Sequence, residues 1–149
     1  MTKRRELDVI CPHCKNRQSV SAWDSINVTA NPELKESLFN GKLNLFECDG
    51  CGQNALLPIP LLYHDMKRQF CVQFFPFAGT QNGSDGLVEW FNEDGKLRIE
   101  DFPGMEAGKY IFEPHVVLSL NEMIRYVLFR ENLYDRINLK SGHSDCVWN

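Results

Sequence analysis

The chain has 149 residues, 43% hydrophobic and 24% charged, which suits one folded domain and excludes a disordered chain or a fibrous repeat. Sixteen basic residues against twenty acidic ones give a net charge of −4, which argues against a whole-surface nucleic-acid binder. No apolar run approaches the ~20 residues of a membrane helix.

The N-terminus reads Met-Thr-Lys-Arg-Arg-Glu-Leu-Asp. No apolar segment follows its basic residues, so no secretory signal is expected and the cytoplasm is the expected compartment. Residues 1–17 carry five basic side chains, Lys3, Arg4, Arg5, Lys15 and Arg17, and two acidic ones. Read as solvated charge, this patch offsets a dianionic metal centre. Read functionally, it contacts phosphates.

Glu6–Ile10 reads as a strand that enters Cys11-Pro12-His13-Cys14. A matching pair, Cys48-Asp49-Gly50-Cys51-Gly52, follows 33 residues later. Two residues between cysteines let both thiolates point at one ion, and two such knuckles supply the four ligands of tetrahedral zinc. Gly52 stands where the chain turns sharply and φ > 0 is needed. The reading is one structural zinc ion per chain, held by Cys11, Cys14, Cys48 and Cys51. Cys-Pro-His-Cys is also the active-site tetrapeptide of some disulfide oxidases. Those need a long helix after the motif, and Lys15–Trp23 is poorly patterned for one.

The gap between the knuckles exceeds the usual 15–20 residues because it carries a helix. Gln18–Thr29 reads as one or two extended segments. Asn31–Gly41 reads as a short helix, with Asn31 as N-cap, Pro32 at the first position and Asn40-Gly41 as the stop. Lys42–Glu47 alternates in part and leads to the second knuckle. Ala55–Tyr63 and Phe70–Phe75 look like two strands joined through His64–Gln69, with Pro58 and Pro60 marking an edge or a bulge. Cys71 falls in the second of these as a small core residue. The run 77–86 is a loop. Leu87–Phe91 and Lys96–Phe102 flank a hairpin signal at Asp94-Gly95. Tyr110–Phe112 reads as a short strand.

Val116–Ile137 is the long helix. Ser119-Leu120-Asn121-Glu122 is a capping box, with Ser119 capping the start and Glu122 returning to the Ser119 N–H. Its apolar stripe predicts packing over a sheet. Residues 1–137 form one domain, and 138–149, with His143 and Cys146, form a tail.

The remaining polar candidates are Tyr63, His64 and Asp65 near one turn, with Glu113 and His115 before the long helix. His64 and Asp65 could form a base and its orienter. No nucleophile motif, phosphate loop or H-E-x-x-H accompanies them. In a turn, Asp65 is expected to accept backbone N–H bonds and His64 to be partly exposed. No catalytic residue is assigned.

Taken together, the residues resemble the CpXC family. The resemblance rests on Cys11-Pro12-His13-Cys14, Trp23–Thr29, Leu34-Lys35, Gly41–Asn44, Phe46-Glu47-Cys48, Cys51-Gly52 and Leu61–Asp65. It is close over residues 5–76 and extends to 136 in character. Asp49 departs from the pattern, standing where a proline is expected. The resemblance implies a zinc-ribbon-like module of a small bacterial or archaeal protein, and carries no activity with it.

The expected fold is α+β: a two-knuckle zinc ribbon on a mostly antiparallel sheet, with a short inserted helix and a long C-terminal helix. The expected function is a non-catalytic, zinc-stabilised module that binds another protein. The alternative is a nucleic-acid-contacting ribbon that uses the basic patch, with Trp23 as a stacking residue if it is not core. A dithiol redox enzyme is the third reading.

Overall fold

The computed structural model describes residues 2–76, 92–94 and 109–141. The expected hairpin strands at 87–91 and 96–102, together with His143 and Cys146, lie outside the described residues. Seven strands, two α-helices and one 3₁₀ turn make up the described fold. In chain order they are β1 (Lys3–Ile10), β2 (Arg17–Asn27), α1 (Pro32–Phe39), β3 (Leu45–Glu47), β4 (Asn54–Leu56), β5 (Leu61–Asp65) and β6 (Phe70–Phe74). The 3₁₀ turn (Lys109–Phe112), β7 (His115–Val117) and α2 (Leu120–Ser141) follow.

The main sheet has five strands in the order β1-β2-β5-β6-β7, and β3 and β4 form a separate two-stranded sheet. β1–β2, β5–β6 and β3–β4 pair antiparallel, whereas β2–β5 and β6–β7 pair parallel. The sheets are therefore mostly antiparallel, by three pairings of five among the described residues. The parallel β2–β5 pairing exists because α1 and the β3–β4 hairpin fill the crossover. A parallel neighbour needs a connection of that length.

Burial alternates along the second half of β1 and the first part of β2, whereas β5 and β6 are buried almost throughout. Ile26, Leu61, Tyr63, Val72, Phe74 and Val117 face one side of the sheet. Leu34 and Leu38 of α1 and Met123 and Val127 of α2 cover them there. Pro32 opens α1 as expected. The Asn31 side chain makes no capping bond to the helix; it accepts from Thr2 Oγ1 instead. Gly41 ends the helix at φ +70°, a conformation glycine adopts without strain.

Three sequence expectations change. Ala55–Tyr63 is not one strand: its first part is β4 and its last part β5, with Leu57–Pro60 as the bend that moves the chain between sheets. Tyr110–Phe112 is 3₁₀ rather than extended. The long helix begins at Leu120 and ends at Ser141, because His115–Val117 pairs with β6 and supplies the sheet's last strand. It thus runs through the first four residues of the expected tail. Ser119 does cap it, accepting the Glu122 N–H at 3.1 Å. The Glu122 carboxylate reaches the Leu118 N–H at 3.0 Å, one residue before the expected partner.

Candidate metal centre

Two hairpin turns meet at the far end of the β1–β2 ribbon. One carries Cys11 and Cys14 between β1 and β2; the other carries Cys48 and Cys51 between β3 and β4. Their backbones repeat the same geometry. The Cys11 N–H donates to Asn16 O and the Lys15 N–H to Cys11 O, both at 2.9 Å; the Cys48 N–H donates to Gln53 O at 2.8 Å and the Gly52 N–H to Cys48 O at 2.9 Å. Each turn closes on a left-handed residue, Lys15 at φ 64° and Gly52 at φ 73°. The second was legible as glycine. The first was hidden because a lysine occupies it.

Cys11 Sγ lies 3.7 Å from Cys51 Sγ, and Cys14 Sγ lies 3.4 Å from Cys48 Sγ. All four sulfurs are within 4.8 Å of one another. Ligands at about 2.3 Å from one tetrahedral ion sit roughly 3.8 Å apart, so the four donors fit a single metal ion. A disulfide needs sulfurs about 2.05 Å apart, and these cysteines are free thiols. Cys11 and Cys48 are buried, whereas Cys14 and Cys51 face solvent. Cys11 leads into a turn and then β2, not a helix. The arrangement a dithiol oxidase requires is therefore missing at this motif.

The thiols bias one another. Burial would raise Cys48, but N–H groups of Cys51 and Gly50 and the Cys14 side chain at its sulfur bring it down to about 6. The Gln53 N–H would lower Cys51, yet loss of solvent and the three neighbouring sulfurs push it up to about 12. Backbone N–H groups lower Cys11 as well, whereas the Cys48 sulfur and burial raise Cys14, and a bound cation would hold all four ionised together.

Two side groups shape the second knuckle. The Gly50 N–H donates to Cys48 Sγ at 3.3 Å. A Cβ on Gly50 would sit 3.3 Å from Cys14 Sγ and 3.2 Å from Asn16 Cβ, so the two turns approach closely through this glycine. Gln18 clasps the turn from β2: its Nε2 donates to Glu47 O at 2.8 Å and its Oε1 accepts the Asp49 N–H at 2.9 Å. A proline at 49 has no N–H to give. The departure from the family pattern therefore adds a bond that proline would lack.

A small apolar cluster supports the centre: Cys11, Ala22, Phe46, Cys48 and Leu57, flanked by Leu7, Val9, Val20 and Ile59. It is separate from the main core.

The basic patch does not form one surface. Arg5 pairs with Ala22 and Arg17 with Ile10 across the ribbon, a separation of five residue steps, or roughly 17 Å. Arg5 Nε lies 2.9 Å from Asp24 Oδ1. The Arg4 guanidinium sits 5.4 Å from the Trp23 ring centroid. Lys15 Nζ donates to Pro12 O at 3.2 Å. Lys3 and Arg17 are exposed at opposite ends of the ribbon. Trp23 is partly buried against the main core.

Alternation along β5 puts Tyr63 and Asp65 on one face of the sheet and sends His64 to the other. His64 is not partly exposed as expected; it is 3% exposed, covered by the 3₁₀ turn, with Nε2 2.7 Å from Tyr110 Oη. Burial lowers its pKa to about 4. Asp65 accepts the Arg68 N–H at 2.9 Å, as expected, and its other oxygen pairs with Arg68 Nη1 at 3.0 Å. The Tyr63 hydroxyl is buried with no hydrogen-bond partner among the described residues, and burial raises its pKa. Nothing in this trio forms a base and its orienter. No described helix is long and apolar enough to cross a membrane.

The family model described as CpXC protein matches residues 9–143, and the chain belongs to the CpXC family. No curated protein and no solved structure matches it.

Proposed function

We propose, for this member of the CpXC family, a non-catalytic binding module built around one structural zinc ion. The observation that carries the reading is the convergence of four cysteine sulfurs within 4.8 Å. Four thiolates complete a tetrahedron and leave no position for water or substrate, the arrangement of structural zinc. All-sulfur tetrahedral sites select zinc or iron–sulfur centres over harder metals. The ion ties the tip of the β1–β2 ribbon to the β3–β4 hairpin.

The binding task falls to another protein. This is supported by the outer half of α2, which leaves Phe129 58%, Ile137 59% and Leu139 67% exposed; apolar groups left in water on one element favour association. The Arg5–Asp24 ion pair and the split of the basic side chains weaken the nucleic-acid alternative.

Native mass spectrometry of the non-reduced chain tests the metal. One zinc per chain with no disulfide mass loss is expected, and a metal-free chain lighter by disulfides overturns the reading. A photo-crosslinker at Leu133 should capture a protein partner. Steeply salt-dependent binding of oligonucleotides, with no protein captured, would overturn the protein-binding assignment.

A further inference from the structure

A concave notch lies at the other end of the molecule from the cysteines, where the sheet edge is incomplete. β7 begins at His115, opposite Val72. Phe70 and Cys71 of β6 therefore run on without a β7 partner. The gap they leave is closed on one face by Tyr126 and Arg130 of α2 and on the other by Tyr110. Pro114 and His115 form its upper wall. Its volume is about 340 Å³, within the range of small-molecule pockets.

Arg130 is the permanent cation of this lining, and among the described residues it has no carboxylate partner. It is nevertheless held in place. Its guanidinium lies 5.0 Å from the Phe70 ring centroid and 6.0 Å from that of Tyr126, and Nη1 donates to Tyr126 Oη at 3.2 Å. Stacking and one hydrogen bond fix the plane of the group, and among the described residues its other N–H donors remain available. Tyr126 accepts from Arg130, which leaves its own hydroxyl proton to donate. The rings of His115 and Tyr126 stack 3.9 Å apart and 7° from parallel, so this wall of the notch is a stacked aromatic pair.

We propose that this notch binds a carboxylate borne on a planar aromatic body, with Arg130 receiving the carboxylate and the His115–Tyr126 wall the ring. A guanidinium presents paired N–H donors that match the two oxygens of a carboxylate. A dianionic phosphate fits less well, because one arginine supplies a single compensating charge; Glu113, which also lines the notch, is engaged in an interaction of its own. The site binds rather than reacts. The Cys71 thiol that reaches it donates to Tyr110 O at 3.2 Å, and burial pushes its pKa up to about 12, so the nucleophilic thiolate is not formed at neutral pH.

The test is titration of the zinc-loaded full chain, followed by NMR of the arginine Nε–H and by calorimetry. The probes are benzoate, benzamide, inorganic phosphate and a short peptide ending in phenylalanine. Benzoate should bind saturably, with Kd of about 1 mM or tighter, and should shift the Arg130 resonance. Benzamide, which has the ring without the charge, should bind at least tenfold more weakly. Arg130→Gln should abolish the preference for benzoate over benzamide. Because Arg130 packs on Phe70, Arg130→Lys is measured beside it; it keeps the charge, loses the planar fork and should weaken benzoate severalfold. If the phenylalanine-ended peptide competes better than benzoate and its C-terminal amide does not, the carboxylate belongs to a polypeptide terminus. If benzoate wins, it belongs to a free acid. Equal binding of benzoate and benzamide, tighter binding of phosphate, or no saturable shift by roughly 10 mM benzoate would each overturn the proposal.

Discussion

Replacing Cys48 with serine removes one of the four proposed ligands, 2% exposed, and the structure indicates how far the damage should spread. Structural zinc contributes roughly 10–16 kcal/mol of apparent binding free energy in small peptides. Besides its cysteines, the supporting cluster buries Ala22, Phe46 and Leu57 completely or nearly so. Two large apolar side chains are worth about 1.5–3 kcal/mol each. A bound zinc ion would therefore stabilise this end more than its apolar packing does, and the cluster alone should not keep it folded. The main core contains none of the four ligands; it rests on Tyr63, Val72, Met123 and Val127. Cys48→Ser should accordingly melt the ribbon tip and the β3–β4 hairpin while α2 and β5–β6 persist. Hydrogen exchange reads this directly. The amides of Cys11, Lys15, Cys48 and Gly52, which close the two knuckles, should lose protection, and those of β6 and the first half of α2 should keep it. Persistent protection of the knuckle amides in a metal-free Cys48→Ser chain would refute the argument. So would a single cooperative unfolding that takes α2 with it.

Gly52→Ala forces a side chain into φ 73° and should cost about 1–2 kcal/mol, seen as a lower melting temperature of the zinc-loaded chain with metal stoichiometry unchanged. Met123→Ala, at a fully buried position, should cost about 2–5 kcal/mol, with chemical denaturation as the assay and an unchanged cobalt–thiolate absorption spectrum as the control. Ser119→Ala removes the cap of α2 and should cost roughly 0.5–2 kcal/mol, readable in denaturant melts. His64 gives a pH dependence. Its folded pKa is lowered by burial to about 4 from 6.5, so between those values the unfolded chain binds the extra proton. Stability should be full above about pH 6.5 and should fall as pH drops toward 4, by up to about 3 kcal/mol. The wild-type minus His64→Gln difference in stability isolates this from acid release of the metal, and a flat difference across that window would contradict the burial of His64.

The parts of this fold legible in the sequence are those set by local chemistry. The cysteine spacing announced the two turns, Pro32 and Gly41 bounded α1, and Ser119 marked the start of α2. What escaped depends on contacts between distant segments. Val116 and Val117 were read into the helix because they continue its apolar run; pairing with β6 outweighs that local pattern. His64 was placed near the surface because its neighbours are turn residues, yet the 3₁₀ turn that covers it lies 46 residues further along the chain. Lys15 gave no sign of its left-handed backbone, since only glycine and asparagine advertise that conformation. The basic side chains looked like a cluster because sequence proximity at both ends of a hairpin strand mimics spatial proximity.

Three stretches of chain join the two cores, at 22–26, 43–46 and 57–61, and the first of them belongs to β2. β2 runs from the knuckle at Arg17 through the ribbon and then becomes an interior strand of the main sheet, pairing with β5 from Ser25 to Asn27. Between the two regions its backbone is held by a side chain. Asn44 Oδ1 accepts the Trp23 N–H at 2.7 Å and Asn44 Nδ2 donates to Trp23 O at 2.9 Å. The amide reproduces the pair of bonds a neighbouring strand would make. Asn44 is buried and itself left-handed at φ 54°, a conformation asparagine tolerates better than most residues. The residue is placed one step before β3, so the cysteine-bearing hairpin and the strand that enters the main core are tied at this point. Asparagine meets both demands at once, a left-handed backbone and a side chain carrying donor and acceptor. Asn44 thus ties the β3–β4 hairpin to β2, while the sheet beyond, with α1 and α2, stands on its own core.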